Sequence, residues 1–134
     1  MKPFELDPSM MTMGGVFYPT GHLFLMFPTQ DQAKNAGKAL VDAGFSADSM
    51  SLLTPEVIQG KITRTVGNAD IPLPSAGTEA DTVRVYADLA SDGHYGLLVD
   101  ASKAEDSDRV MEVLKDSGYS VAKKYRQLVI QDMD

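Results

Sequence analysis

Apolar and polar residues follow each other along the chain in a pattern that predicts four strands. Residues 22–27 and 95–99 are almost continuously apolar, which is typical of strands buried on both faces of a sheet. Residues 50–53 form a short apolar run that suits a sheet edge. Residues 119–130 form a longer candidate strand with the basic residues Lys123, Lys124 and Arg126, which are typical of an exposed edge.

Four other segments carry helix signals at both ends. Each begins at a serine or threonine that can act as an N-cap and ends at a glycine, and the four segments are 29–44, 54–67, 78–93 and 102–118. Capping boxes mark the first and the fourth, and Pro55 follows the N-cap of the second. Apolar residues recur inside each segment at helical spacing, although Gly60 weakens the second segment.

The two halves of the chain resemble each other. A Gly-His pair opens the strands at 21–22 and at 93–94, and Gly44 and Gly118 close helices at corresponding positions. A duplicated β-α-β unit is typical of the ferredoxin-like split fold. We therefore predict an α+β fold with a four-stranded antiparallel sheet in the order 4-1-3-2 and two extra helices between the halves. The first and third strands are expected to be central.

Length and local composition predict one domain with a separate arm. A chain of 134 residues fits a single domain. Residues 1–20 contain three prolines and several methionines, which predicts an extended N-terminal arm. Residues 21–130 are expected to form the single ferredoxin-like domain.

Composition excludes several classes of function. The chain has no cysteine, which excludes structural disulfides, thiolate metal sites and cysteine nucleophiles. A net charge of −7 disfavours nucleic acid and anionic lipid as partners. No apolar run approaches the roughly 20 residues that span a bilayer, and the N-terminus lacks the pattern of a secretory signal. We therefore expect a cytoplasmic protein without a membrane partner.

A family resemblance runs through the middle of the chain. The Gly-Thr-Glu-Ala sequence at 77–80 is followed by Tyr86, Leu89, Gly93 and Leu-Leu-Val at 97–99. This arrangement resembles the bacterial general-stress (heat-induced) protein domain family, in which a strand and a helix ending in Gly-Phe or Gly-Tyr precede a Gly-x-Glu-Ala helix. The resemblance covers about residues 21–126 and implies an association with stress responses. It supplies no catalytic residues.

The residues most often used for metal binding or proton transfer are not grouped in a recognisable site. His22 and His94 open neighbouring antiparallel strands, so we expect them at opposite ends of the sheet. The acidic residues at 79–81 and 105–108 fall in the first turns of helices, where carboxylates stabilise the helix dipole. The sequence therefore predicts no metal, no cofactor and no catalytic residue.

One ligand site and one nucleic-acid strip remain as candidates. Arg64, Asn68 and Arg84 flank a proline-containing loop, and we predict that they bind a small anion beside Tyr86, although a solvated surface is the simpler interpretation. The basic residues at 123–126, interleaved with tyrosines, are also typical of RNA-binding strips. The signature strand of the RNA-binding sheet module is missing, so edge protection is the favoured interpretation of those basic residues.

Both faces of the strand at 22–27 are apolar, so each face of the sheet needs cover. A second subunit, the two middle helices and the methionine-rich arm are the candidates for the second face. We predict a homodimer in which residues 10–18 of the arm help to close the interface.

Three functional hypotheses follow. The first, which we favour, is a non-catalytic, stress-associated binding or assembly module with a small-molecule or protein partner. The first alternative is a small dimeric ferredoxin-like enzyme with a cleft between sheet and helices, using some of Tyr18, His22, Arg84, Tyr86 and Tyr95. The second alternative is an RNA-binding protein that uses the sheet face.

Overall fold

A five-stranded antiparallel sheet forms the centre of the protein. The computed structural model describes residues 1–12, 15–66, 77–127 and 129–133. The strands are β1 (His22–Phe27), β2 (Met50–Leu53), β3 (Tyr95–Asp100), β4 (Val121–Tyr125) and β5 (Ile130–Asp132). The α-helices are α1 (Gln30–Asp42), α2 (Pro55–Val57), α3 (Gly77–Ser91) and α4 (Ala104–Leu114). The fold is therefore α+β, with an open sheet.

The strands lie in the order β2-β3-β1-β4-β5, and all neighbours are antiparallel. The first four strands thus follow the expected order 4-1-3-2, but the expected number of four strands is wrong. The long strand predicted at 119–130 is a hairpin, in which the Arg126 N–H donates to the Val129 carbonyl at 2.9 Å and β5 returns beside β4. β4 is therefore not an edge, and the edge-protection interpretation of its basic residues is wrong.

The register of β1 and β3 separates the two histidines. His22 pairs with Asp100, and Phe27 pairs with Tyr95 at the other end of the strands. His94 directly precedes β3 and so lies at the Phe27 end. The predicted separation of the histidines is confirmed.

Local signals explain most of the helix ends. The Thr29 Oγ1 accepts a hydrogen bond from the Gln32 N–H at 3.2 Å, as a capping box requires. Gly44 follows α1 with a φ of +104°, a conformation in which glycine carries no steric penalty.

The third and fourth helices differ from the prediction. Helix α3 begins at Gly77, before the expected N-cap Thr78, and the N-cap of α4 is Lys103 rather than Ser102, with no side chain capping it.

The second helical segment is less regular than the sequence predicts. The single turn of α2 continues as a π-helical turn at Ile58–Ile62 and a 3-10 turn at Thr63–Thr65. Ile58 and Ile62 are fully buried, so this segment is attached to the core on one side. Its other side carries Gly60, where an added Cβ would meet open space.

Each face of the sheet packs against a different layer of the same chain. Helices α1 and α4 cover one face, where the buried residues include Leu23, Leu25 and Phe27 of β1. The opposite face carries Phe24 and Met26 and is covered by α3, the π-helical turn and the N-terminal arm. The chain therefore covers both faces itself, which removes the reason for expecting a second subunit there.

The described part of the N-terminal arm, residues 1–12 and 15–20, is built into this second layer. Phe17 is fully buried, and the Phe17 N–H donates to Thr65 Oγ1 at 3.0 Å. Met11 forms an antiparallel bridge with Phe17, so the arm folds back on itself. Lys2 forms a parallel bridge with Ser51 at the edge of β2. Across the described ranges, no helix has the length and apolar character needed to cross a membrane.

Candidate functional site

The four residues predicted to bind a ligand do not converge in the part of the chain that the structure describes. Arg64 is exposed in the 3-10 turn at Thr63–Thr65. Arg84 is exposed on α3, where its guanidinium forms an ion pair with Asp81 at 2.7 Å. Tyr86 is fully buried, and Asn68 lies outside the described residues. Of the three described residues, only Arg64 borders one of the two clefts described below.

Tyr86 belongs to a buried pair rather than to a cleft. Its hydroxyl shares a hydrogen bond of 2.8 Å with the hydroxyl of Tyr125, and both residues are fully buried. The ring of Phe24 lies 4.5 Å from the Tyr86 ring, centroid to centroid. Burial raises the pKa of Tyr86 well above its ordinary value of 10, and the neighbouring Tyr125 adds to that rise. Burial likewise raises the pKa of Tyr125, so both hydroxyls stay protonated at neutral pH.

An open cleft lies beside Arg64, and we call it the arginine cleft. Its volume is about 680 Å³. Lys61 and Arg64 lie three positions apart at this cleft, and neither has an ion-pair partner among the described residues. The lining residues are Glu5, Leu6, Met11, Gly15, Gly60, Lys61, Arg64 and Thr65. The arginine cleft thus combines two cations with apolar side chains from the arm.

A second cleft, of about 510 Å³, also has Met11 in its lining, and we call it the glutamate cleft. It is lined by Met11, Thr12, Tyr18, Thr20, Glu79, Gln127, Val129 and Ile130. The Tyr18 hydroxyl donates to the Arg126 carbonyl at 2.6 Å. Partial burial and the nearby carboxylate of Glu79 raise the pKa of Tyr18 above its ordinary value. Because Glu79 lines the glutamate cleft, the charge of this cleft is opposite in sign to that of the arginine cleft.

His22 makes a hydrogen bond to a residue two positions away, whereas the partner of His94 lies 26 positions along the chain. His22 Nδ1 lies 3.0 Å from the Thr20 carbonyl oxygen, and His94 Nδ1 lies 2.9 Å from Ser120 Oγ. Within the described ranges, no group of three or more histidine, aspartate or glutamate side chains is placed to hold a metal ion.

The residues named for the enzyme alternative are scattered in the fold. Tyr18 lines the glutamate cleft, whereas Tyr86 is enclosed in the core between sheet and α3. Tyr95 packs on the opposite face of the sheet, with α1 and α4. His22 and Arg84 make separate local contacts with Thr20 and Asp81. These five side chains form no common constellation for catalysis.

Sequence reasoning missed a buried lysine. Lys124 is only 3% exposed, and its ammonium donates hydrogen bonds to Ser107 Oγ at 2.7 Å and to the Ala101 carbonyl. Burial lowers the pKa of Lys124 below its ordinary value of 10.5. The alternation of side chains along a strand indicates that residue 124 is buried, because it shares a face with the buried Ala122. We did not use this indication, because the neighbouring basic residues favoured an exposed position.

Replacing Lys124 by methionine should stabilise the protein. Because the folded-state pKa is lowered, the unfolded chain binds more protons, and the unfolding free energy rises with pH between that lowered pKa and 10.5. Lys124→Met removes the buried charge, so we expect a higher unfolding free energy at neutral pH and loss of this rise. Urea unfolding between about pH 7 and about pH 9, below the ordinary tyrosine pKa, measures both effects.

The control is Lys38→Met on the exposed face of α1. It should leave the pH dependence as in the wild type. A Lys124→Met variant that is less stable than the wild type would show that the hydrogen bonds of the ammonium outweigh its desolvation.

Comparison with known proteins provides no relative. No protein-family model matches the chain, no curated protein matches it, and no solved structure matches it. The geometry of the two clefts is therefore the basis for a functional proposal.

Proposed function

We propose that the protein is a non-catalytic binding module that holds a small anionic ligand in the arginine cleft. The observation that supports this is the pair Lys61 and Arg64, three positions apart at the cleft and without ion-pair partners among the described residues. Two cations on one turn favour a carboxylate or a phosphate group, and the fork of an arginine suits either.

The rest of the lining defines what the ligand should look like. Leu6 and Met11 offer apolar contacts, so the ligand is expected to carry an apolar portion beside its anionic group. The cleft volume of about 680 Å³ is within the range typical of small-molecule sites. Glu5 is the one carboxylate among the described lining residues, so the cations outnumber it there. The π-helical turn at Ile58–Ile62 adds support, because such turns are frequent at functional sites.

The two alternatives receive less support. An enzyme of the ferredoxin-like kind needs acid, base and substrate groups within reach of one another, and the five named residues are scattered. An RNA-binding sheet needs an open face, but both faces are packed against this chain in the described residues. Lys123 forms an ion pair with Asp132, and Lys124 is buried, so neither is free to contact RNA. A small-ligand module is therefore the better hypothesis.

The remaining parts of the proposal depend on the sequence. The repeated Gly-His pairs and the order of the first four strands favour a ferredoxin-like duplication extended by β5. The resemblance to the general-stress family supports an association with stress responses. It predicts that the protein becomes more abundant after heat or osmotic shock, which quantitative proteomics of the source cells measures.

The homodimer is not part of the proposed function, because the sheet face that suggested it is covered by the chain itself.

Ligand binding can be tested with matched charge variants. Thermal unfolding is measured with inorganic phosphate, citrate, short-chain fatty acids and phosphate esters. We expect at least one amphipathic anion to raise the unfolding temperature of the wild type. The double variant Lys61→Gln/Arg64→Gln should bind it about tenfold or more weakly, which corresponds to about 1.4 kcal/mol or more.

The control double variant is Lys34→Gln/Lys38→Gln, which makes the same change of net charge on the exposed side of α1. It should bind like the wild type. Equal weakening of anion binding in both double variants would show that only the net charge matters. If no anion raises the unfolding temperature, the proposed site would be excluded.

A further inference from the structure

We propose that the glutamate cleft and the open edge of β5 together form a docking site for an extended, positively charged peptide segment of a partner protein. The site goes beyond the anion-binding cleft, with which it shares Met11 as a lining residue. Peptide recognition at a sheet edge combines backbone hydrogen bonds with side-chain pockets beside the edge. The structure provides both elements at one place.

The backbone of β5 has groups directed away from its neighbour. The Arg126 N–H donates to the Val129 carbonyl, and the Met133 N–H donates to the Ala122 carbonyl. Hydrogen-bonded pairs alternate in an antiparallel ladder, so the N–H and C=O groups of Ile130 and Asp132 point away from β4. β5 is the last strand of the sheet, and no strand among the described residues pairs with its outer side.

The glutamate cleft lies directly beside this edge. Ile130 belongs to both, because its side chain lines the cleft while its backbone groups face the open side of the sheet. Val129 also lines the cleft and is 59% exposed, the largest exposed fraction among the exposed large apolar side chains of the described residues. A peptide strand paired with β5 would cover Val129 and place its own side chains over the cleft.

Charge selects the occupant. Among the described residues, Glu79 is the one acidic or basic side chain that lines the cleft, and it has no ion-pair partner there. The chain as a whole carries a net charge of −7, which attracts cationic partners and repels a second copy of itself. The preferred segment is therefore extended, with apolar or β-branched residues and a lysine or arginine that reaches Glu79.

The test uses the full chain and a random-sequence peptide library displayed on phage. Peptides enriched on the wild type should contain a lysine or arginine among apolar and β-branched residues. Glu79→Gln should weaken the binding of a synthetic copy of the best peptide about tenfold, and the affinity should fall with ionic strength.

The edge itself is tested at Asp132, whose side chain is exposed. Asp132→Pro removes an N–H that points outward and leaves the β4–β5 hydrogen bonds in place, so it should weaken peptide binding about tenfold or more. Asp132→Ala loses the same contact with Lys123 but retains the N–H, and it should bind more tightly than Asp132→Pro. Circular dichroism and thermal unfolding establish that both variants are folded.

Three results would overturn the proposal. The first is that no peptides are enriched, and the second is that the best peptide binds the wild type and Glu79→Gln equally well. The third is a dimer of this chain that light scattering detects in the wild type but not in Asp132→Pro, because β5 would then pair with a second copy. Lys61→Gln/Arg64→Gln should retain peptide binding, so this site and the anion site can fail independently.

Discussion

The Phe17→Ala variant should lose about 3–5 kcal/mol of unfolding free energy, which is the usual cost of emptying a buried aromatic site. Phe17 is fully buried, although it belongs to the N-terminal arm. Its ring meets those of Phe4, Phe24 and Tyr125 edge-on, at centroid distances of 6.4, 5.9 and 5.9 Å. The substitution therefore leaves a cavity at the point where arm and sheet meet. Urea unfolding followed by circular dichroism measures the loss.

Val41→Ala provides the control for Phe17→Ala. Val41 is 43% exposed on α1, so shortening its side chain should change the unfolding free energy by about 0.5 kcal/mol or less. If Phe17→Ala is equally mild, the arm does not contribute to the core. Hydrogen exchange adds a local measure, because the Tyr18 N–H, which donates to the Met10 carbonyl, should lose protection when the arm is loosened.

The buried tyrosine pair should respond very differently to single and double substitution. Tyr86→Phe or Tyr125→Phe leaves the remaining hydroxyl buried without its partner, and we expect each single variant to lose about 1–3 kcal/mol. The double variant removes both hydroxyls and should lose less than the sum of the singles. A double-mutant cycle of urea unfolding measures this coupling. Strictly additive losses would show that the hydroxyls do not depend on each other.

The same pair predicts a loss of stability at alkaline pH. The pKa values of both tyrosines are raised in the folded protein above the ordinary value of 10. Their contribution is therefore complete below pH 10 and is lost as the pH rises towards the folded-state values, because only the unfolded chain releases these protons. The double phenylalanine variant should show a smaller loss of unfolding free energy above pH 10 than the wild type. An identical loss would assign the alkaline effect to other groups.

These core contacts also affect the proposed sites. Met11 lines both clefts and is bridged to Phe17, whose N–H is bound to Thr65 of the arginine cleft. Loosening the arm should therefore weaken anion and peptide binding together. Substitutions at Lys61 and Arg64, by contrast, should affect the anion alone. The arm thus connects the stability of the core to the geometry of both binding sites.

Local sequence signals were sufficient where hydrogen bonds and backbone geometry are local. The cap at Thr29 and the glycine after α1 depend on residues within one turn of each other. The continuous apolar runs identified β1 and β3 as central strands, because a strand buried on both faces needs apolar residues at every position. The order of the first four strands followed from the internal repeat.

Tertiary structure decided the features that join distant residues. Tyr86 and Tyr125 are 39 positions apart, and nothing near either of them indicates the other. The sequence indicated a surface position for Lys124 because its neighbours are basic, but in the structure its environment is set by burial against α4. Arg64 was selected from the sequence and Lys61 lies three positions before it, but Leu6 and Met11 join this pair only through packing of the arm. The sequence determined four of the five strands and their order, whereas the clefts exist only where separate elements meet, because their shape depends on side-chain packing that no local pattern encodes.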